Sequence, residues 1–191
     1  YADLLKRDPN LLSASQERLS IIQQQVHRAA SLIRQILDFS RRSVMEQSML
    51  DLLPFVKELD KLLRRVLPET IRIELDYQPG IYLVNADPTR LQQVFMNLAV
   101  NARDATADGG ILKFNLDQAQ ILDGETPPCP DIPVGVWNRI TVKDSGEGIP
   151  PDILPHIFEP FFTTKPVGEG TGLGLAQAYG IIKQHDGYID A

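Results

Sequence analysis

The chain has 191 residues, 43% of them hydrophobic, with 19 Lys and Arg against 25 Asp and Glu and a net charge of −6. That composition supports one ordinary globular domain with a smaller element beside it, and its scattered charges supply no basic stripe for a nucleic-acid backbone. A single cysteine, Cys129, excludes an internal disulfide and a cysteine-based zinc site, and no apolar run approaches a membrane span, so direct membrane contact is not expected.

A reducing, cytoplasmic setting fits this cysteine usage. The opening YADLLKRDPN has no signal-peptide character and no initiator methionine, so the chain reads as a piece of a longer protein, whose membrane anchor, if it has one, lies elsewhere. Tyr1 to Lys6 predicts the end of a helix and RDPNLLSAS a turn. From there Leu19, Ile22, Val26, Ala29, Ile33, Ile36 and Ser40 alternate steps of three and four, a heptad seam that Leu32, Leu37 and Phe39 widen. Two antiparallel helices with so wide a face are half of a four-helix bundle. Residues 1–46 are therefore expected to form a helical hairpin that makes a homodimer with a second copy. The alternative is that the long helix packs on its own globular domain.

Residues 47–191 are expected to form the second domain. Leu52 to Leu67 predicts an amphipathic helix with Pro54 in its first turn, and TIRIELDY from Thr70 alternates as a strand. A shorter strand is expected at Ile81 to Val84. Asp87 is placed to cap the helix PTRLQQVFMNLAVNARDAT, which Gly109 and Gly110 stop. ILKFNLDQA and VWNRITVKD read as strands joined by a long polar connection, LDGETPPCPDIPVG. Then follow DSGEGIPP, a short helix near Ile153 to Ile157, the stretch FEPFFTTKPVGEGTGLGL, a helix from Leu173 to Gln184, and a last strand from Tyr188 that looks truncated. Strands and helices interleave without regular βαβ alternation. The expected class is α+β: a two-layer α/β sandwich, a mixed sheet with helices on one face.

Four blocks carry chemistry. Asn97 and Asn101 lie four apart on one helix face, where amide oxygens can hold a magnesium ion that keeps most of its water. Asparagines also suit solvated faces, but Phe95, Leu98, Ala99, Val100 and Ala102 make much of this helix apolar. Asp144, Gly146 and Gly148 follow a strand: either a plain turn, or a carboxylate for an exocyclic amine with glycines that admit a flat ligand. Phe158, Phe161 and Phe162 are expected to anchor one side of a flap, and Gly168, Gly170, Gly172 and Gly174 lead into a helix whose first N–H groups suit phosphate. The spacing matches neither a P-loop nor a dinucleotide fingerprint.

Together these blocks resemble the histidine kinases, within the wider ATPase family of gyrase B, the Hsp90 chaperones and MutL. NLAVNARDA is similar to the family's N box, DSGEGIP to its first glycine box, FEPFFTTK to its F box and GTGLGL to its second glycine box, in that order from Asp87 to about Gly187. LIRQILDFSRRS resembles the second helix of the kinases' dimerisation and phosphoacceptor hairpin, and YADLL, NARDA and FFTTK look most like the hybrid sensor kinases. The resemblance implies a Bergerat-type ATP-binding fold with ATP and Mg2+ as cofactors. It implies Asn97 and Asn101 as catalytic and metal-holding residues, Asp144 on the adenine amine, Gly146 and Gly148 under the base, and a mobile lid from about Pro151 to Gly170. Gly170, Gly172 and Gly174 would meet the phosphates, with Asp104, Ile149, Phe158, Thr164, Lys165, Thr171 and Leu173 also among the nucleotide contacts.

Two departures from the family pattern matter. Asp104 sits where many kinases carry a basic residue facing phosphate, which leaves Lys165 and Arg103 as candidate cations. Asn97 stands where the ATP-hydrolysing members have a glutamate base, so phosphoryl transfer to a protein imidazole is implied in place of water activation. In the family the acceptor histidine lies on the first hairpin helix, upstream of this chain. His27 reads as a helix-surface residue, while His156, in the lid region, and His185, near a helix end that favours a cation, are poor metal or acid/base candidates. The chain is thus expected to bind ATP without phosphorylating itself, and to serve a response-regulator receiver domain. The competing readings are a nucleotide-binding dimer that has lost catalysis and an interaction module that binds no nucleotide.

Overall fold

The chain divides into two compact units, Tyr1–Ser43 and Val44–Ala191. The computed structural model describes residues 45–106, 108–124, 129, 131–166 and 170–191, together with 15, 18–22 and 26 of the first unit. Those first-unit residues are helical. Ile22 and Val26 of the expected seam are exposed, and so is Ile21. The hairpin as a whole, its pairing with a second copy and His27 fall outside the described residues.

The second unit runs β1 (Ser48–Asp51), α1 (Leu52–Val66), β2 (Ile71–Tyr77), β3 (Leu83–Ala86), α2 (Pro88–Ala105), β4 (Gly110–Ile121), β5 (Gly135–Asp144), a 3-10 turn at Leu154–His156, and α3 (Gly174–Gln184). Helix α1 begins where Asp51 Oδ1 accepts the Leu53 N–H at 3.1 Å, satisfying one of the donors a helix start leaves open. It buries Leu52, Val56, Leu59 and Leu63, a stripe at steps of four, three and four. Near its other end Arg64 donates to the Ile73 carbonyl at 2.8 Å and so covers part of the outer edge of β2.

The sheet has the order β2-β4-β5. Strands β2 and β4 are parallel, from Ile71 opposite Gly110 to Tyr77 opposite Leu116, and β4 and β5 are antiparallel, from Leu112 opposite Asp144 to Ile121 opposite Gly135. Alternation sends Ile71, Ile73, Leu112, Phe114 and Leu116 to one face, where they join Leu59, Leu63, Leu91, Phe95, Ala99 and Ala102 of the helices in one core. Phe114 meets Phe95 edge to face at 6.1 Å. The opposite face carries ion pairs, including Asp117 and Arg139, directly across the ladder at 2.7 Å. This is the expected two-layer sandwich with a mixed sheet and helices on one face.

Three local expectations are corrected. A strand absent from the sequence reading, β1, pairs antiparallel with β3 in a separate ribbon. That pairing, from Ser48 opposite Ala86 to Asp51 opposite Leu83, moves the short strand from Ile81 to Val84 onto Leu83 to Ala86. Ile81 stays exposed, while Tyr82 is buried with its hydroxyl donating to Gln78 O at 2.7 Å. The last strand expected from Tyr188 is not formed by residues 188–191. The Tyr188 ring instead packs edge to face on Trp137 at 5.3 Å, with Lys183 4.4 Å above it.

Candidate functional site

The site is built on α2. Asp87 Oδ1 accepts from Thr89 N at 2.9 Å and from Arg90 N at 3.2 Å, and Pro88 fills the first helical position, the cap the sequence predicts. The Asp87 N–H donates to His185 Nε2 at 2.9 Å, while His185 Nδ1 lies 2.8 Å from the Ile181 carbonyl and donates to it. His185 therefore joins the end of α3 to the start of α2.

With Leu91, Val94, Phe95, Ala99 and Ala102 turned to the core, Asn97, Asn101 and Asp104 form a second stripe at steps of four and three. The start of α3 meets this stripe. Asn97 Nδ2 donates to the Gly174 carbonyl at 3.0 Å and to Gln177 Oε1 at 3.1 Å. A Cβ at Gly174 would lie 3.9 Å from the Asn101 amide nitrogen and equally close to Asn97 Cβ and Cγ. Leu173 is itself buried and supplies no side-chain cap to α3. The Asn97 amide oxygen and the Asn101 amide form no hydrogen bond with another described residue.

Asp144 ends β5, and its Oδ1 accepts the Gly146 N–H at 2.8 Å. Ser145 Oγ accepts from Ile111 N at 2.9 Å, fastening this turn to β4. A Cβ at Gly146 would come within 2.6 Å of the Ala105 carbonyl, so the turn closes on the last residue of α2, one helical turn past Asn101. Gly148 has φ of +74° and Ile149 is exposed.

The phenylalanine segment and the glycines behind it pack backbone to backbone. Phe161 N donates to the Gly172 carbonyl at 2.8 Å, and Gly172, with φ of +65°, leaves no room for a Cβ against the Phe161 backbone. A Cβ at Gly170 would overlap Thr163 Oγ1. The expected triple anchor is corrected: Phe161 is 63% exposed and adopts φ of +70°, and the buried side chain among residues 157–166 is Ile157. Phe158 packs on Tyr179 with ring centres 5.3 Å apart, and Phe162 lies beside His156 at 5.8 Å. The short helix expected near Ile153 to Ile157 is a three-residue 3-10 turn. Thr171 Oγ1 accepts from Leu173 N at 3.3 Å, whereas Thr164 is exposed and forms no side-chain hydrogen bond with another described residue. Gly168 lies outside the described residues.

Lys165 reaches back to α2 and pairs with Asp104 Oδ2, while Arg103 Nη2 holds Asp104 Oδ1 at 2.7 Å. Partial burial pushes the Asp104 carboxyl up, but the hydrogen bonds and charges of Lys165 and Arg103 outweigh it and hold the group below the usual carboxylate range. Both candidate cations are thus engaged by one carboxylate. Among the described residues no three His, Cys, Asp or Glu side chains converge on a metal position. Asn97 and Asn101 both turn their amide nitrogens toward the start of α3, and amide oxygens are hard ligands of the kind magnesium takes.

Residues 86–191 match the family described as histidine kinase-, DNA gyrase B-, and HSP90-like ATPase. The chain belongs to this ATPase family. The match opens one residue before the cap of α2 and takes in all four motifs. The chain is 42% identical to sensor kinase CckA of Brucella abortus (strain 2308) over 98% of its own length and 20% of that protein. It is 32% identical to sensory histidine kinase/phosphatase NtrB of Rhizobium meliloti (strain 1021), over 99% of its own length and 49% of that protein. It therefore spans between a fifth and a half of these relatives. The nucleotide-free catalytic domain of histidine kinase ThkA shares the fold with a TM-score of 0.56 and 30% identity, covering 74% of this chain and 82% of that one. Within this ATPase domain the sequence reading missed Gln177, Ser145 and the linking role of His185. Each acts through a partner between 34 and 98 residues away, which no local pattern announces.

Proposed function

We propose that the chain is the ATP-binding and dimerising portion of a sensor histidine kinase. It binds Mg-ATP and directs the γ-phosphate to a histidine of the kinase, from which it passes to an aspartate of a response-regulator receiver domain. The observation that carries the reading is the meeting of Asn97, Asn101 and Gly174 at an uncapped helix start. The open N–H groups there lie at the positive end of the α3 dipole and suit a phosphate chain, with Gly170, Thr171 and Gly172 leading up to it. Asn97 spends its amide nitrogen on α3, which leaves its oxygen, with that of Asn101, for magnesium. Magnesium, when bound, neutralises phosphate charge.

Asp144 uses Oδ1 in its own turn and keeps Oδ2 for the adenine amine, with Gly146 and Gly148 beneath the base and Ile149, Phe158, Thr164 and Leu173 around the nucleotide. An amide at position 97 cannot take a proton from water, which favours transfer to a protein side chain over hydrolysis. The sensor kinases among the relatives support the same direction. Exposure of Ile22 and Val26 supports homodimer formation through the N-terminal helices, and the single cysteine, Cys129, fits a cytoplasmic setting. No described helix is long and apolar enough to cross a membrane.

Titration calorimetry with Mg-ATP on the parent, Asn101→Ala and Asp144→Asn tests this. The parent is expected to bind, and each variant to bind at least about tenfold more weakly, the loss expected for a hydrogen bond to a charged group. Equal binding by all three refutes the site.

A further inference from the structure

Asp104 is the third residue of the Asn97, Asn101 stripe, and its carboxylate has the wrong sign for a surface that receives a triphosphate. Both of its oxygens are engaged. Oδ1 accepts from Arg103 Nε at 2.9 Å and Nη2 at 2.7 Å, and Oδ2 holds the Lys165 ammonium across 61 residues of chain. The Lys165 and Asp104 side chains are only 33% and 26% exposed, so the pair is partly withdrawn from solvent.

The Lys165 backbone is positioned independently of Asp104. Its N–H donates to Thr163 Oγ1 at 3.2 Å, and the Gly170 backbone comes so near that a Cβ there would lie 3.0 Å from Lys165 Cβ. The turn fixes where the side chain starts, and Asp104 fixes where the ammonium ends. Removing the carboxylate would leave two uncompensated cations, Arg103 and Lys165, at the end of the stripe.

Resting on the nucleotide reading above, we propose that Asp104 is an internal stand-in for phosphate: it occupies Lys165 while the site is empty and surrenders it to the terminal phosphate of the nucleotide. Asp104 then limits affinity. A partly exposed ion pair contributes little to folding, so the effect belongs in binding. A purely structural Asp104 would give the opposite sign, because its loss would loosen the site.

The experiment is a double-mutant cycle of Asp104→Asn and Lys165→Met in the 191-residue chain, read by Mg-ATP titration, with amide hydrogen exchange at residues 163–165 measured without nucleotide. Asp104→Asn is expected to bind Mg-ATP about 3-fold to 10-fold more tightly and Lys165→Met about tenfold more weakly. In the Lys165→Met background the gain from Asp104→Asn is expected to shrink to the residual repulsion, about twofold. Exchange at 163–165 in Asp104→Asn should rise a few-fold, at roughly the scale of one exposed ion pair. Binding by Asp104→Asn equal to or weaker than that of a parent that binds overturns this proposal alone. A parent that binds no Mg-ATP overturns the nucleotide reading, and this proposal with it.

Discussion

Replacing Asp87 by alanine isolates the joint on which α2, and with it the whole Asn97 stripe, begins. The substitution removes Oδ1 from the Thr89 and Arg90 N–H groups and Oδ2 from Glu46 N, which lies at 3.3 Å. The bond from the Asp87 N–H to His185 belongs to the backbone and survives. A lost N-cap costs about 1 kcal/mol and the long bond to Glu46 about 0.5 kcal/mol more, so the expected loss is about 1.5 kcal/mol. At roughly 2–4 °C per kcal/mol for a domain of this size, Tm should fall by about 3–6 °C. Urea unfolding followed by Trp137, the single tryptophan, reports on the unit that holds β5. Its midpoint should fall with unchanged slope. Asp87→Asn, which keeps a capping oxygen, should stay within about 0.5 kcal/mol of the parent. A loss below about 0.5 kcal/mol in Asp87→Ala would refute the claim that this carboxylate holds the start of α2.

The core, the glycine contact and the sheet surface each give a further test. Phe114 is among the largest fully buried side chains and contacts Phe95, so Phe114→Ala should cost about 3–5 kcal/mol in the same unfolding assay, and Phe114→Leu about 1–1.5 kcal/mol. Gly172→Ala places a Cβ against the Phe161 backbone in a left-handed conformation. It should cost about 1–3 kcal/mol and weaken Mg-ATP binding, whereas Gly180→Ala, a helical position with open space around it, should be neutral or slightly stabilising. The Asp117 carboxyl is held below its ordinary range, first by the hydrogen bond from Arg139 and against the opposing effect of burial. A folded pKa below the unfolded value means that this stabilisation is complete above about pH 5 and is lost as pH falls toward about 3 and below. Asp117→Asn should therefore flatten the fall of stability across that acid range in a pH series of urea melts, while an unchanged slope would remove the ion pair from the account.

What the sequence reveals and what it conceals divide along the range of the interactions. Helix α2 was legible because its signals are local: Asp87 before Pro88, apolar residues on one face, and two glycines after the end. The mixed sheet was legible from alternation in TIRIELDY, ILKFNLDQA and VWNRITVKD. Strand β1 was not, since SMLD is short and its partner β3 is more than thirty residues on. The same pairing sets the β3 register against the local pull of Ile81. The motif spacing put Asn97 and Asn101 on one face, but nothing in it showed α3 arriving there, nor Lys165 joining Asp104. Phe161 misled for a physical reason: its apolar side chain suggests burial, yet its backbone contact with Gly172 is what holds it, and the ring is left outward.

The most direct test of the nucleotide site is a crystal structure of this chain with magnesium and a non-hydrolysable ATP analogue. The account predicts phosphates on the N–H groups at Gly172 to Gly174, the metal at the amide oxygens of Asn97 and Asn101, and the adenine amine at Asp144. A nucleotide bound elsewhere, or Asn101 and Asp144 turned toward separate cavities, would contradict it.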